Sequence, residues 1–277
     1  MIEIGKYNSL RILRASEPGI YLVDEDGNEV LLPNKYVPEQ YKKGDLMDVF
    51  IYKDSEDRPV ATTLKPKAIV GEYVYLQVKA MNNIGAFMDW GLEKDLLVPF
   101  KEQNQKMNVG HSYIVYVYLD SLTERIAATS KYEKHLEKET DQLDPDQKVE
   151  LFITEKTELG FKCIIDNRFL GLIYHNEIFQ EIKTGNHVVG YVQNVRDDGK
   201  VDVALQLPGY DNIEPNAQRI LDELKENQGK LSLNDKSAPE EIKRVLGVSK
   251  KVFKKAIGLL YKKRLITITD EGIQLNN

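Results

Sequence analysis

The chain has 277 residues, a net charge of −6 and one cysteine, Cys163. A lone cysteine excludes an internal disulfide and a cysteine-rich zinc site. No apolar run is long enough to span a bilayer. The charge is uneven: residues 214–277 carry 13 Lys and Arg against 9 Asp and Glu, a net of +4, which leaves −10 on residues 1–213. A negative total disfavours nonspecific adhesion to nucleic acid but leaves room for a local basic strip.

The N-terminus has no uninterrupted apolar core and does not read as a signal peptide, so a soluble cytoplasmic protein is expected. From there the chain repeats itself. Gly19 and Gly44, Gly85 and Gly110, and Gly160 and Gly185 form three pairs, each 25 residues apart, and Pro33, Pro99 and Tyr174 each fall 14 residues after the first glycine of a pair. Between these landmarks each copy reads as a short apolar strand, a turn and a second strand. The second glycine opens another strand, and a charged turn leads to the last. In residues 112–119, β-branched and aromatic residues alternate as a half-buried strand requires, with Tyr116 and Tyr118 read as barrel packing. Five short strands in roughly 60 to 75 residues suit a small closed barrel, because closure removes the exposed sheet edge. The glycines are expected where a strand coils sharply or bulges.

Residues 131–147 read as a charged, partly helical linker between the second and third copies. After the third copy the pattern changes. A helix is expected from Pro215 to Gly229, with Ile220, Leu221 and Leu224 on one face. A short strand follows. A second helix has Ser237 as N-cap, Glu240 in capping-box register and Gly247 as its stop. A third has Ser249 as N-cap and a stripe of Val252, Phe253, Ala256, Ile257, Leu260 and Tyr261. Two helices across a turn, closed by a hairpin at 270–272, follow helix-turn-helix grammar. Lys250, Lys251, Lys254 and Lys255 lie in the first half of the third helix, against its dipole. Lys262, Lys263 and Arg264 lie at its end, where the dipole accounts for them. Lysine lacks the fork that reads guanine edges, so the face suits phosphate better than sequence-specific DNA.

The glycine pairs, an aromatic two residues after the first, "LVP" near the fourteenth and an Asp and Arg in the last turn resemble the S-one RNA-binding domain. That resemblance implies an OB-fold barrel with one face for single-stranded RNA. Carried over residue by residue, it implies Tyr21, Asp54 and Arg58 in the first copy, Phe87, Asp120 and Arg125 in the second, and Tyr174 and Lys200 in the third. The copies depart from the family's rings at Pro18 and Pro33, at Ile84 and Pro99, and at Leu159 and Lys162, and Arg196 stands where the third copy's acid belongs. Every base has a π face, so an exposed ring binds any sequence. Phe87 and Tyr21 stand equally as barrel core, and Arg58 and Arg125 as partners of Asp54 and Asp120.

The expected fold is mainly β with a small α+β domain: three tandem five-stranded OB-fold barrels at 1–64, 66–132 and 146–207, then a winged helix-turn-helix at 214–277. Over its full length the chain is similar to the conserved virulence factor B family. The resemblance implies a non-catalytic RNA-binding regulator acting after transcription. Its partner is single-stranded RNA, with the four lysines 250, 251, 254 and 255 assisting and duplex nucleic acid at the winged helix left open. Linked weak modules gain avidity from high effective concentration. The alternatives are a winged-helix DNA-binding transcription regulator whose barrels contact partners, and a ribosome or ribonuclease accessory protein. No glycine-rich phosphate loop appears. The histidines show no metal-ligand spacing, and of Asp166, Asp197 and Asp198, which could suggest an acidic metal cluster, two sit in a Gly-containing turn where Asp is common for backbone reasons. No cofactor, metal or enzymatic activity is expected.

Overall fold

The computed structural model describes residues 1–178, 180–196, 198–206 and 215–276. The fold is mainly β, as expected: three closed five-stranded barrels precede a winged helix. The first barrel comprises β1 (Tyr7–Ser16), β2 (Gly19–Val23), β3 (Glu29–Pro33), β4 (Leu46–Lys53) and β5 (Pro59–Thr62). The second comprises β6 (Tyr73–Met81), β7 (Gly85–Met88), β8 (Leu96–Pro99), β9 (Ser112–Leu119) and β10 (Ile126–Thr129). The third comprises β11 (Lys148–Lys156), β12 (Gly160–Ile165), β13 (Phe169–Tyr174), β14 (His187–Val195) and β15 (Val201–Ala204). Each barrel runs 1-2-3-5-4 around its wall, with the third and fifth strands parallel.

The sequence spacings have a backbone cause. Gly19, Gly85 and Gly160 pair across the second hairpin with Pro33, Pro99 and Tyr174, so the 14-residue landmark is a cross-strand neighbour. A Cβ on these glycines would lie 2.1, 2.3 and 1.9 Å from the carbonyl oxygens of Leu32, Val98 and Ile173, which leaves no room for a side chain. The first strand of every barrel is bulged, between Ile12 and Arg14, Val78 and Ala80, and Ile153 and Glu155. The second glycine of each pair serves that bulge. Gly44, Gly110 and Gly185 adopt φ of 96°, 83° and 89°. Their amides donate to the carbonyls of Ile12, Val78 and Ile153 over 2.8 Å. This left-handed conformation costs glycine nothing.

The barrels share packed side chains. In β4, Val49, Phe50, Ile51 and Tyr52 are all buried. Val49 and Ile51 belong to the first barrel's core, while Phe50 and Tyr52 join the second barrel's cluster around Trp90, Met88 and Val117. Phe50 meets Trp90 edge-on at 5.8 Å. The Val70 amide donates to the Gly5 carbonyl at 2.9 Å. A second joint unites the next pair of barrels through Tyr73, Ile114, Phe152 and Ile164. The charged linker is no helix there. Tyr132–His135 makes one 3-10 turn, and Glu137 bridges to Phe169 while its carboxylate takes both arms of Arg168.

The winged helix contains α1 (Pro215–Glu226), β16 (Lys230–Leu231), α2 (Pro239–Leu246), α3 (Lys250–Lys262), β17 (Ile266–Thr269) and β18 (Gly272–Leu275), with sheet order β16-β18-β17. Ile220, Leu221, Leu224, Ile242, Phe253, Ile257 and Leu260 form its core. Two expectations fail locally. Pro239 begins α2, so Ala238 occupies the N-cap, and the Ser237 hydroxyl instead accepts from the Asn234 amide at 2.9 Å. Tyr261 lies off the buried stripe, 57% exposed. Ser249 does cap α3, accepting from the Val252 amide at 3.3 Å, and Gly247 ends α2 at φ 67°. No helix among the described residues is long and apolar enough to cross a membrane.

Candidate nucleic-acid interface

The last turn of each barrel is closed the same way. The amides of Asp54, Asp120 and Arg196 donate to the carbonyls of Arg58, Arg125 and Lys200 at 3.0, 2.9 and 2.9 Å. This shared bond aligns the residues that the resemblance singled out, and their side chains then diverge.

In the middle barrel, β7 carries Phe87 opposite Leu97 of β8. The ring is partly buried and lines a cavity of about 380 Å³. Trp90 and Tyr118 line it too, and Tyr52 and Lys53 reach it from the first barrel. Lys94, Lys101 and Arg125 complete a wall of four cations beside Asp95 and Asp120, and Asp57 and Glu124 pair with two of the four. Asp120 is a turn-builder: its carboxylate accepts from the Leu122 and Thr123 amides and the Thr123 hydroxyl. These bonds, led by the Thr123 amide, hold its pKa below the usual range. Arg125 does not pair with Asp120. It makes a two-pronged contact with Asp57 of the first barrel, at 2.7 and 2.6 Å. Beside it Lys53 meets Glu124 at 2.9 Å, and the Lys94 ammonium donates to the Lys53 and Asp54 carbonyls. Burial, then the Arg125 charge, lowers the Lys94 pKa.

The first barrel's groove is more self-contained. Arg14 covers the Tyr21 ring, its guanidinium carbon 3.8 Å from the ring centre. Arg58 grips Asp54 at 2.9 and 2.8 Å and also meets Glu56. Burial opposes ionisation of Asp54, but the Arg58 hydrogen bonds prevail and its pKa is lowered. Tyr52 and Lys94 line this groove as well, so the first and second grooves share a wall.

In the third barrel Tyr174 accepts a hydrogen bond from Arg196, which Asp202 holds through Nε at 2.9 Å. Asp202, then the cost of burial, governs the Arg196 pKa, which is raised. Lys200 pairs with Asp198 at 2.7 Å. Leu159, Leu170 and Leu172 line the nearby cavity, and Tyr174 is not among its walls. Asp197 lies outside the described residues, and among those described no acidic, histidine or cysteine cluster groups as a metal site. In the winged helix, Lys251, Lys254 and Lys255 are exposed along α3, while the half-buried Lys250 donates to the Lys236 carbonyl at 3.4 Å.

Tyr116 and Tyr118 do not pack inside their barrel. Tyr116 lies in the joint with the third barrel and Tyr118 lines the middle cavity. Sequence reasoning also passed over Tyr52, Trp90, Lys94 and Asp57. The unbroken apolar stretch 49–52 was the available signal for Tyr52, since burial of both strand faces erases alternation. Nothing local marks Asp57 as the partner of a residue 68 positions away.

Comparison with known proteins agrees with this architecture. The family model described as "S1 domain" matches residues 4–64 and 70–130, and the model described as "CvfB-like winged helix domain" matches 218–275. Conserved virulence factor B of Staphylococcus saprophyticus is 24% identical over 98% of this chain and 94% of its own length. Bacillus subtilis YitL, described as uncharacterized, is 28% identical over 93% of this chain and 89% of its own. A solved Streptococcus pneumoniae structure, described as a multidomain protein with nucleic acid binding domains, covers 99% of this chain and 98% of its own at 23% identity and a TM-score of 0.47.

Proposed function

The chain belongs to the conserved virulence factor B family, uniting S1 domains with a CvfB-like winged helix domain, and on that premise we propose that it binds single-stranded RNA and regulates expression after transcription. The middle groove is the observation that carries the reading. The partly exposed Phe87 and Tyr118 face one cavity with Lys53, Lys94, Lys101 and Arg125, over the buried rings of Trp90 and Tyr52. Rings stack unpaired bases and cations hold the backbone, which is the chemistry of single-strand binding. The first and third barrels contribute less. Their Arg58 and Arg196 are committed to carboxylates of their own barrel, and leucines line the third cavity. The role of the protein is to hold RNA and not to cut it, and in the cytoplasm such binding acts on messages already made. The winged helix assists through the exposed lysines of α3, which suit phosphates in any sequence.

A DNA-binding regulator is the second reading, favoured by the exposed lysines in a helix-turn-helix. Fluorescence-anisotropy titrations of the whole chain with single-stranded RNA, single-stranded DNA and duplex DNA across salt separate the two. Single-stranded RNA should bind tightest, with affinity falling as salt rises. Preference for a duplex, or no binding of single strands at low salt, overturns the proposal.

A further inference from the structure

The segment after β10 runs past the middle groove before it reaches the third barrel. Its single 3-10 turn ends at His135, which is exposed. The imidazole lies nearly parallel to two rings of β9: 4.1 Å from Tyr116 and 6.3 Å from Tyr118, each at 20°. Tyr116 is fixed from behind by Tyr73, at 4.8 Å, within the joint to the third barrel. One face of His135 is therefore seated on an anchored pair of rings, and its exposure leaves the other open. The same segment is tied to the groove a second time. The Lys131 ammonium donates to the Lys101 carbonyl at 2.7 Å, and Lys101 lines the middle cavity, as Tyr118 does. Among the described residues neither lysine stands in an ion pair, and the Lys101 charge acts on Glu102 and Asp120 nearby.

We propose that the segment joining the second and third barrels continues the nucleic-acid surface, with His135 as a stacking platform for a base and Lys131 and Lys101 as contacts for the backbone of the same strand. This deepens the single-strand reading above and rests on it. The physical case is preorganisation. A ring already held flat by its neighbours loses little freedom when a base lands on it. Stacking on such a ring is indifferent to base identity. Tyr118 faces both the cavity and His135, and the Glu102 carboxylate that acts on both rings is paired with Lys134 at 2.8 Å.

The test is anisotropy on the full chain with oligouridylates of about 4 and about 12 nucleotides, within the range one OB barrel accommodates. His135→Ala should weaken the longer strand about tenfold and leave the shorter within about twofold, since only the longer spans both groove and platform. His135→Tyr should restore the longer strand's affinity, because it returns a flat ring. Thermal unfolding should be near that of the wild type for both variants. If the wild type binds both strands through Phe87 and His135→Ala binds both as tightly, the platform is overturned and the groove stands. Equal loss on both lengths, or a loss that tracks lowered thermal stability and that tyrosine does not rescue, also overturns it. If the wild type binds neither strand, the single-strand reading itself falls and the platform with it.

Discussion

Replacing Phe87 with alanine separates a binding ring from a packing ring. Phe87 is partly buried and faces a cavity, whereas Phe50 is fully buried between barrels. Full burial of a phenylalanine stabilises by about 1.5–3 kcal/mol. About half of that, roughly 1 kcal/mol, is at stake for Phe87, and the space it vacates merges with one already present. Phe50→Ala leaves a closed void and should cost about 3–5 kcal/mol. Binding should respond in the opposite order. A lost stacking partner is worth about 1–3 kcal/mol per base, or about 5- to 150-fold in Kd at 1.4 kcal/mol per decade. Urea unfolding and anisotropy on the same preparations measure both quantities. A stability loss of about 3–5 kcal/mol for Phe87→Ala with RNA affinity unchanged would refute the reasoning, because the ring would then be core.

The two glycines of a repeat should fail differently. Gly110→Ala places a side chain in open space at φ 83° and should cost about 1–2 kcal/mol. Gly85→Ala drives a Cβ to 2.3 Å from the Val98 oxygen and should cost about 2–4 kcal/mol by forcing β7 from β8; equal costs in urea unfolding would contradict this. Changing Lys250, Lys251, Lys254 and Lys255 together to Gln should leave the fold intact and lower affinity for all single strands alike, with a salt slope shallower by about 0.7 for each phosphate no longer neutralised. Unchanged affinity at low salt would show that the face is merely solvated, and a loss confined to one duplex sequence would favour the DNA reading. Acid should loosen the first barrel and its joint. Arg125 lowers the Asp57 pKa, and the Asn28 side chain leads in lowering that of Asp24 to about 2. Carboxylates depressed on folding stabilise above their unfolded pKa of about 4 and lose that contribution as pH falls through the folded value. Thermal stability should therefore drop between about pH 4 and pH 2, less steeply in Asp57→Asn, and a rise on acidification would contradict the assignment.

The barrels were legible because their constraints are local. A glycine with no room for a Cβ and a glycine locked left-handed to a bulge recur wherever this wall is built, so the 25-residue interval appears in the letters themselves. The winged helix showed itself through Ser249 and Gly247, whose capping depends on neighbours in sequence. What escaped is relational. Tyr116 has the alternation of an ordinary strand residue and Phe50 sits in an unbroken apolar run, and only the apposition of a second barrel gives their outward faces something to touch. Arg125 looks ready for RNA or for Asp120 until Asp57 is brought opposite it from another barrel. The candidate residues Phe87, Asp120 and Arg125 do meet at one cavity, but beyond the apolar run 49–52 the sequence contains no mark that Tyr52 and Lys94 line it.

The packing of Phe50 and Tyr52 into the neighbouring barrel also bears on which nucleic acids fit. Beads on a slack string adjust their spacing to the ligand; two barrels with a common core do not. A strand that touches both grooves passes the shared wall at Tyr52 and Lys94, and any turn there falls to the strand. Unpaired RNA bends at little cost, whereas a duplex, with a persistence length of about 150 base pairs, resists over such short distances. On the single-strand reading proposed above, a fused joint favours a flexible strand over a stiff duplex.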